Sequence, residues 1–182
     1  HDWETFKQIT NYEEKSKNPL TLEEFKKQKI YNSYTPIDTN LINKLFIKNK
    51  DLILVTDKTN NFKLINESFK FEKNRIIVEI FGKDNYFKAI KMGILNPMFS
   101  TSINEIDFVK KYKIKLIAIH SKDFQENILE YEKLNKENVI IFVYSSNDTD
   151  FIKRALSTAS AIYTDFIDIK NYSCTSKVCE TY

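Results

Sequence analysis

Glycine is the residue that this sequence most clearly lacks, since only Gly82 and Gly93 occur in 182 residues. A loop that cradles phosphates needs several glycines at fixed spacing, because backbone amides must approach the phosphate closely. Neither the P-loop pattern nor the dinucleotide-binding pattern can be written with these two residues. The sequence therefore argues against a P-loop and against a dinucleotide-binding fold.

Long apolar runs and a strong charge bias are missing as well. No run approaches the roughly 20 apolar residues that cross a bilayer, so we expect no membrane span in this segment. The 28 Lys and Arg residues nearly balance 25 Asp and Glu residues, and the formal charge is +3. The lysines are scattered over the predicted helices, which disfavours nucleic acid as a partner. Hydrophobic residues make up 42% and aromatic residues 14%, which indicates a folded chain with a core.

Cysteine is also rare, and both cysteines, Cys174 and Cys179, lie near the end of the sequence. In an oxidising compartment they could close a small loop, and otherwise they are two unpaired thiols. A zinc site is disfavoured, because two cysteines without a nearby histidine leave the metal short of ligands. The sequence opens on polar residues, without an initiator Met or a signal-peptide pattern. We expect an upstream segment in the gene.

Short aliphatic runs alternate with amphipathic segments along the chain. Such runs are typical of strands buried on both faces of a parallel sheet. We predict strands at 52–55, 76–81, 116–119, 139–144 and 161–166, with a weaker candidate around 97–99. Helices are predicted at 21–29, 38–48, 84–92, 102–111, 123–134 and 149–158. Capping boxes at Thr21–Glu24 and Ser102–Glu105 support two helix starts, and Gly93 is a suitable helix stop.

Polar residues lie at the end of almost every predicted strand: Asp57, Glu79, His120, Asn147 and Asp165. A (β/α) barrel draws its active site from the ends of several strands, whereas an open sheet concentrates such residues at one switch point. We therefore predict an α/β fold, an eight-stranded (β/α) barrel of TIM type. About six of its eight βα units lie in residues 1–170, followed by a tail at 171–182 that carries the cysteine pair. Residues 1–20 are predicted to be a loop that leaves an early strand.

Several of these segments resemble motifs of the glycerophosphodiester phosphodiesterases, which have barrels of the PLC-like phosphodiesterase kind. His1-Asp2-Trp3 resembles the family's His-Asp motif, and residues 19–25 resemble the loop and helix start that follow it. Residues 54–58 are similar to the Val-Thr-Asp-Thr-Lys element of a bacterial branch of the family. Residues 146–148 match an Asn-Asp motif, and residues 161–166 resemble the closing strand. The resemblance extends to about Ile169.

The resemblance implies a metal-dependent hydrolysis of glycerophosphodiesters to glycerol 3-phosphate and an alcohol. A divalent cation, magnesium or calcium, would neutralise charge that develops on the phosphodiester. The residues it assigns are His1 as general acid with Asp2 as its partner, Asp57 and Glu79 as metal ligands, and Lys58, Tyr144 and Asp165 as substrate-binding residues. The chain departs from the family at three of these positions. Lys58 lies one residue early, Glu79 stands where relatives often have Gln, and Tyr144 stands where they have Trp or His.

Structural roles are the alternative for most of these residues. Asp57 could cap a turn or helix, Tyr144 could be a core aromatic, and Asp165 could be structural. An unpaired buried carboxylate is costly, so Glu79 should meet a cation, either a metal or Lys58. His120 has no counterpart in the family and is interpreted as a structural histidine.

The family's first catalytic histidine and its Glu-x-Asp pair would precede position 1, so we expect the sequence to be part of a longer chain. Two other functions remain open at this point. One is a phospholipase D-like or phosphoinositide-lyase relative that acts on lipid head groups. The other is a catalytically dead barrel that serves as a binding module. The expected partner is a small glycerophosphodiester or a lipid head group, and the cysteines and the resemblance point to the cell envelope or periplasm.

Overall fold

A computed structural model describes residues 3–13, 20–57, 59–69, 71–165, 167–168, 170 and 173–174. The strands in these residues are β1 (Leu54–Thr56), β2 (Ile76–Phe81), β3 (Asn96–Thr101), β4 (Leu116–His120), β5 (Ile140–Tyr144), β6 (Ala161–Ile162), β7 (Ile167–Asp168) and β8 (Ser173–Cys174). The α-helices are α1 (Trp3–Thr10), α2 (Leu22–Lys27), α3 (Thr39–Lys48), α4 (Phe62–Ser68), α5 (Lys83–Lys91), α6 (Ile106–Lys111), α7 (Ser121–Glu126), α8 (Ile128–Lys136) and α9 (Thr149–Ala155). No helix in these residues is long and apolar enough to cross a membrane.

Strands β1 to β6 form one parallel sheet in which each strand pairs with the next in the sequence. The order never reverses, unlike that of a doubly wound sheet. The sheet is also curled. The curl brings the Tyr163 hydroxyl, after β6, within reach of Glu79 on β2 across the concave face. The predicted α/β class is therefore confirmed as a curled, six-stranded half-barrel that alternates with helices. The eight-stranded barrel of the phosphodiesterase kind stays a prediction.

Side chains alternate between two cores along each strand, as a pleated strand requires. The larger core lies between the convex face and the helices, and Val78, Ile80 and Phe99 belong to it. The concave face is filled by a smaller cluster built on Ile77, Met98 and Ala118. Both faces are buried, which is why the strands read as nearly continuous aliphatic runs in the sequence.

Two predictions about the strands need correction. The weak candidate around 97–99 is a full strand, β3, whose pattern is obscured by Pro97 and by the polar residues at its ends. The predicted strand at 161–166 pairs with β5 only at Ala161 and Ile162. Ile167 and Asp168 then pair antiparallel with Ser173 and Cys174, so the chain turns away from the sheet soon after β6. Cys179 lies outside the described residues.

Two helices were missed by the sequence prediction. Helix α1 occupies part of the segment that was predicted to be a loop. Helix α4 follows β1, and its Asn61 side chain caps the first turn by accepting from the Leu64 amide at 3.1 Å. Its Phe62 and Ile65 are buried, but the short apolar stripe is interrupted by polar residues. The sequence pattern was therefore too brief to reveal this helix.

The predicted helix at 123–134 is broken at Asn127 into α7 and α8. The side-chain Nδ2 of Asn127 donates to the backbone carbonyl oxygen of Asp123 at 3.1 Å and to Asp123 Oδ1 at 2.8 Å. Asp123 Oδ2 also accepts from the Ile103 backbone amide at 2.9 Å. This bond takes the place of the capping box predicted at Ser102, whose side chain makes no cap. The capping box at Thr21 and Glu24 is confirmed. The Thr21 side chain accepts from the Glu24 backbone amide, and the Glu24 side chain accepts from the Thr21 backbone amide.

Candidate active site

The carboxyl ends of β1, β2, β5 and β6 surround a cavity of about 580 Å³. Its lining includes three carboxylates and three aromatic rings: Asp57, Glu79, Asp165, Phe81, Tyr144 and Tyr163. Four of the residues that the sequence predicted for a site, Asp57, Glu79, Tyr144 and Asp165, therefore come together here. The predicted residues His1, Asp2 and Lys58 lie outside the described residues.

Strand register brings these side chains to one level. Thr56 pairs with Val78 and Val143 pairs with Ile162. The next positions, Asp57 beside Glu79 and Tyr144 beside Tyr163, therefore lie next to each other at the carboxyl ends. Because alternate residues share a face, the pairs belong to the same concave face as Ile77 and Phe142. The arrangement follows from parallel pairing in sequence order.

Glu79 is the buried acid of the cavity, with 4% of its surface exposed. The Tyr163 hydroxyl donates to Glu79 Oε2 at 3.4 Å and lies 4.0 Å from Met98 Sδ. Burial raises the pKa of Tyr163 far above its ordinary value, and the negative charge of Glu79, the hydrogen bond to it, and the charge of Asp57 raise it further. Tyr163 is therefore a protonated hydrogen-bond donor at neutral pH.

Aromatic rings form the opposite wall of the cavity. Tyr144 and Tyr163 lie with ring centroids 6.3 Å apart, and Phe142 packs against Tyr163 at 6.0 Å. The His120 ring stands perpendicular to Tyr144 at 5.4 Å. These contacts pack the ring of Tyr144 between His120 and Tyr163. Such a wall suits the apolar part of a small ligand.

His120 has the structural role that the sequence suggested. Its Nδ1 accepts from the Lys122 backbone amide at 3.1 Å and caps helix α7. A neutral imidazole with an acceptor at Nδ1 carries its proton on Nε2. On the far side of Tyr144, His120 and Asn127 line a second, shallower groove of about 370 Å³.

The Asn147-Asp148 motif holds the loops after β5 and β6. Asn147 Oδ1 accepts from the backbone amide of Asp165 at 2.8 Å. Asp148 Oδ1 accepts from the amides of Asp150 and Phe151 at 2.9 and 3.0 Å and starts helix α9. Both side chains therefore act on the backbone and position the rim of the cavity.

The carboxylates offer part of a metal site. Among the residues that the structure describes, no group of three or more His, Cys, Asp and Glu residues is arranged to hold an ion. Asp57, directly after β1, and Glu79, near the end of β2, nevertheless line one cavity. Carboxylate oxygens are ligands that both magnesium and calcium accept, so these two residues could hold either ion.

Comparison with protein-family models, curated proteins and solved structures finds no match to this chain. A function therefore has to be argued from the cavity.

Sequence reasoning gave no site role to five residues that line the cavity: Val55, Thr56, Phe81, Ser145 and Tyr163. Tyr163 was present in the motif at 161–166 but received no role. Strand alternation could have found it, because Ala161, Tyr163 and Asp165 are alternate residues and alternate residues of a strand lie on the same face. The contact between Tyr163 and Glu79, by contrast, requires the curl of the sheet.

Proposed function

We propose that this chain is a metal-dependent phosphodiesterase that hydrolyses glycerophosphodiesters to glycerol 3-phosphate and an alcohol. The observation that carries the proposal is the pairing of Asp57 and Glu79 at the carboxyl ends of neighbouring strands, in one cavity with Asp165 and Tyr163. Active sites of (β/α) barrels lie at this end of the sheet. The motif resemblance around His1 and Asp57 supports the same chemistry.

In this proposal the phosphodiester lies between the carboxylates and the aromatic wall. A divalent ion held by Asp57 and Glu79 would supply charge neutralisation for the phosphate. Tyr163 is a protonated donor and can turn its hydroxyl from Glu79 to a phosphate oxygen. Tyr144, whose ring lies between His120 and Tyr163, packs against the alcohol portion. A water oxygen forms the new bond to phosphorus as the bond to the alcohol oxygen breaks, and His1 donates the proton that the departing alcohol oxygen requires.

The test is release of glycerol 3-phosphate from glycerophosphocholine, glycerophosphoethanolamine and glycerophosphoglycerol by the full-length protein. Assays contain magnesium or calcium, and then a chelator. We expect metal-dependent release that falls by about 100-fold or more in Asp57→Asn and in Glu79→Gln, because each change removes a ligand charge beside the phosphate.

The matched control is Asp107→Asn, because Asp107 is an exposed acid on α6. It should retain the parent rate. Circular dichroism of each variant checks that the fold persists. Absence of release with every substrate and both ions, from a folded full-length protein, would contradict the proposal. A cyclic phosphate product would instead assign the chain to the lyase alternative.

A binding module is the second candidate, and a specific contact favours it. Glu79 is buried and accepts a hydrogen bond from Tyr163, which occupies one oxygen that a metal would use. Isothermal titration with the same glycerophosphodiesters distinguishes the two functions. Saturable binding that Tyr144→Ala removes, without any product, would identify a binding protein.

A further inference from the structure

Six lysines lie in or directly after the C-terminal halves of α5 and α6. Residues 85–95 and 108–115 contain six lysines and no acidic residue: Lys88, Lys91, Lys110, Lys111, Lys113 and Lys115. The whole chain has a formal charge of +3, so the residues outside these two segments sum to −3. All six lysines are exposed, and Lys110 lies 4.0 Å from Glu130 on α8. The two segments therefore present a net positive charge to solvent.

Apolar side chains are exposed among these lysines. Phe87, Ile90 and Tyr112 are exposed by 41, 49 and 45%. The Phe87 ring lies 5.0 Å from Tyr112, and Phe108 lies 4.7 Å from Tyr112 in the seam between α5 and α6. We call Phe87, Ile90 and Tyr112, with the six lysines, the basic aromatic face.

The exposed rings are held by buried ones. Phe108 contacts Phe99 at 5.2 Å, and Phe99 contacts Tyr86 at 5.6 Å in the convex core. The Lys111 ammonium lies 5.4 Å from the centroid of the Tyr112 ring. The face therefore consists of packed aromatic rings with exposed lysines around them. Helix C-termini favour lysine through the helix dipole, but that effect does not account for exposed Phe, Ile and Tyr between the lysines.

We propose that the basic aromatic face docks on an anionic lipid surface. Aromatic and aliphatic side chains enter the headgroup region, while lysines bind the negative charge of the lipids. A second copy of this chain is disfavoured as occupant, because two such faces would bring twelve lysines together. The complementarity of charge therefore selects the anionic membrane.

The topology orients the bound molecule. In each βα unit the helix returns from the carboxyl end of one strand to the amino end of the next, so the last turns of α5 and α6 lie opposite the cavity. The cavity therefore faces the aqueous side when the face is on the membrane. The docking proposal is independent of whether the cavity hydrolyses a phosphodiester.

The experiment is cosedimentation of the full-length protein with two kinds of vesicle, phosphatidylcholine alone and phosphatidylcholine mixed with phosphatidylglycerol. We expect binding to the mixed vesicles only, weakening as sodium chloride is raised, because exposed charges are screened. The variant Lys91→Glu/Lys111→Glu/Lys113→Glu should lower the partition coefficient by about 100-fold or more. Ile90→Asn should lower it by about fivefold or more, through loss of apolar insertion.

The matched control is Lys63→Glu/Lys122→Glu/Lys153→Glu, which changes the net charge equally at exposed lysines on α4, α7 and α9. It should bind nearly as well as the parent, and thermal melting checks that all variants fold. Equal loss in the two triple variants would overturn the proposal, because non-specific charge would then explain binding. Absence of binding to the mixed vesicles would also overturn it, as would a dimer in sedimentation velocity that the first triple variant abolishes.

Discussion

At the scale of single residues, the most informative groups are phenols that are buried and polar at once. Burial raises the pKa of Tyr86, Tyr131 and Tyr163 above the ordinary value. For Tyr131 the hydrogen bond to Asp123 Oδ2, at 2.9 Å, adds to the effect. For Tyr163 the charge of Glu79 does so. The folded structure therefore disfavours ionisation of all three hydroxyls.

We predict that these three phenols do not ionise with the exposed tyrosines in an alkaline titration. Ordinary tyrosines titrate near pH 10, while the folded-state pKa of these three is higher. Their contribution to stability is complete below about pH 10 and is lost as the pH rises, because the unfolded chain releases protons that the folded chain keeps. Ultraviolet absorption of phenolate should show a delayed phase that coincides with loss of circular dichroism.

Tyr131→Phe should remove one phenolate from the delayed phase and leave the amplitude of the early phase unchanged. Ionisation of all tyrosines in one early phase, with the fold intact, would show that the buried phenols are accessible to solvent.

At the scale of elements, three helices end in the same way before a strand. A residue with positive φ follows each helix, namely Gly93, Lys113 and Asn138. The next residue then donates its amide to a carbonyl five positions back, as Ile114 does to Val109 at 3.0 Å. This is the Schellman motif, in which glycine is favoured because it has no Cβ. Lys113, with φ 51°, is the least suited of the three.

We predict that Lys113→Gly raises the free energy of unfolding by about 0.5–1 kcal/mol, because it relieves the left-handed backbone. Gly93→Ala should lower it by about 1 kcal/mol. A Cβ at Gly93 would meet nothing within 4 Å, so the cost comes from the backbone alone. Urea denaturation measures both effects.

Asn138→Gly is the matched control for the helix-end prediction. Its gain should be smaller than that of Lys113→Gly, because Asn tolerates positive φ better than Lys. If Lys113→Gly were less stable than the parent protein, the backbone at position 113 would not be the source of strain.

At the scale of the whole molecule, Arg75 joins helix α3, which precedes the sheet in the sequence, to the sheet. Its side chain is 12% exposed and pairs with Glu72 at 2.8 Å. Its guanidinium donates to the carbonyls of Phe46 and Asn49 at 2.9 and 2.8 Å and lies 4.4 Å from the Phe46 ring centroid. Arg75 therefore satisfies carbonyls at the end of α3 from the start of β2.

We predict that Arg75→Lys lowers the free energy of unfolding by about 1–3 kcal/mol. One ammonium cannot replace a planar fork of donors, so carbonyls of Phe46 and Asn49 lose a partner. Thermal and urea denaturation measure the loss. Arg154→Lys is the matched control, since Arg154 is exposed on α9, and it should change stability by less than about 0.5 kcal/mol. Equal effects of the two substitutions would contradict the role of Arg75.

Local pattern was enough to place most of the sheet. The runs at 76–81, 116–119 and 139–144 correspond to β2, β4 and β5 within a residue, because strands buried on both faces leave a continuous aliphatic signal. The polar residues at the strand ends and the capping box at Thr21 were likewise readable, since both depend on neighbours a few positions away. The grouping of Asp57, Glu79, Tyr144 and Asp165 around one cavity agrees with their places at the strand ends, while their roles, which the resemblance implies, stay predictions.

Contacts between distant parts of the chain were decided only by the folded structure. Tyr163 and Glu79 are 84 positions apart, and the curl of the sheet brings them together. Arg75 was not distinguishable from other basic residues, because its partners are backbone carbonyls that have no sequence signature. The break at Asn127 and the lost box at Ser102 both follow from Asp123, whose carboxylate binds three separate segments. Propensity and periodicity describe a residue's near neighbours, whereas these interactions depend on how the elements pack.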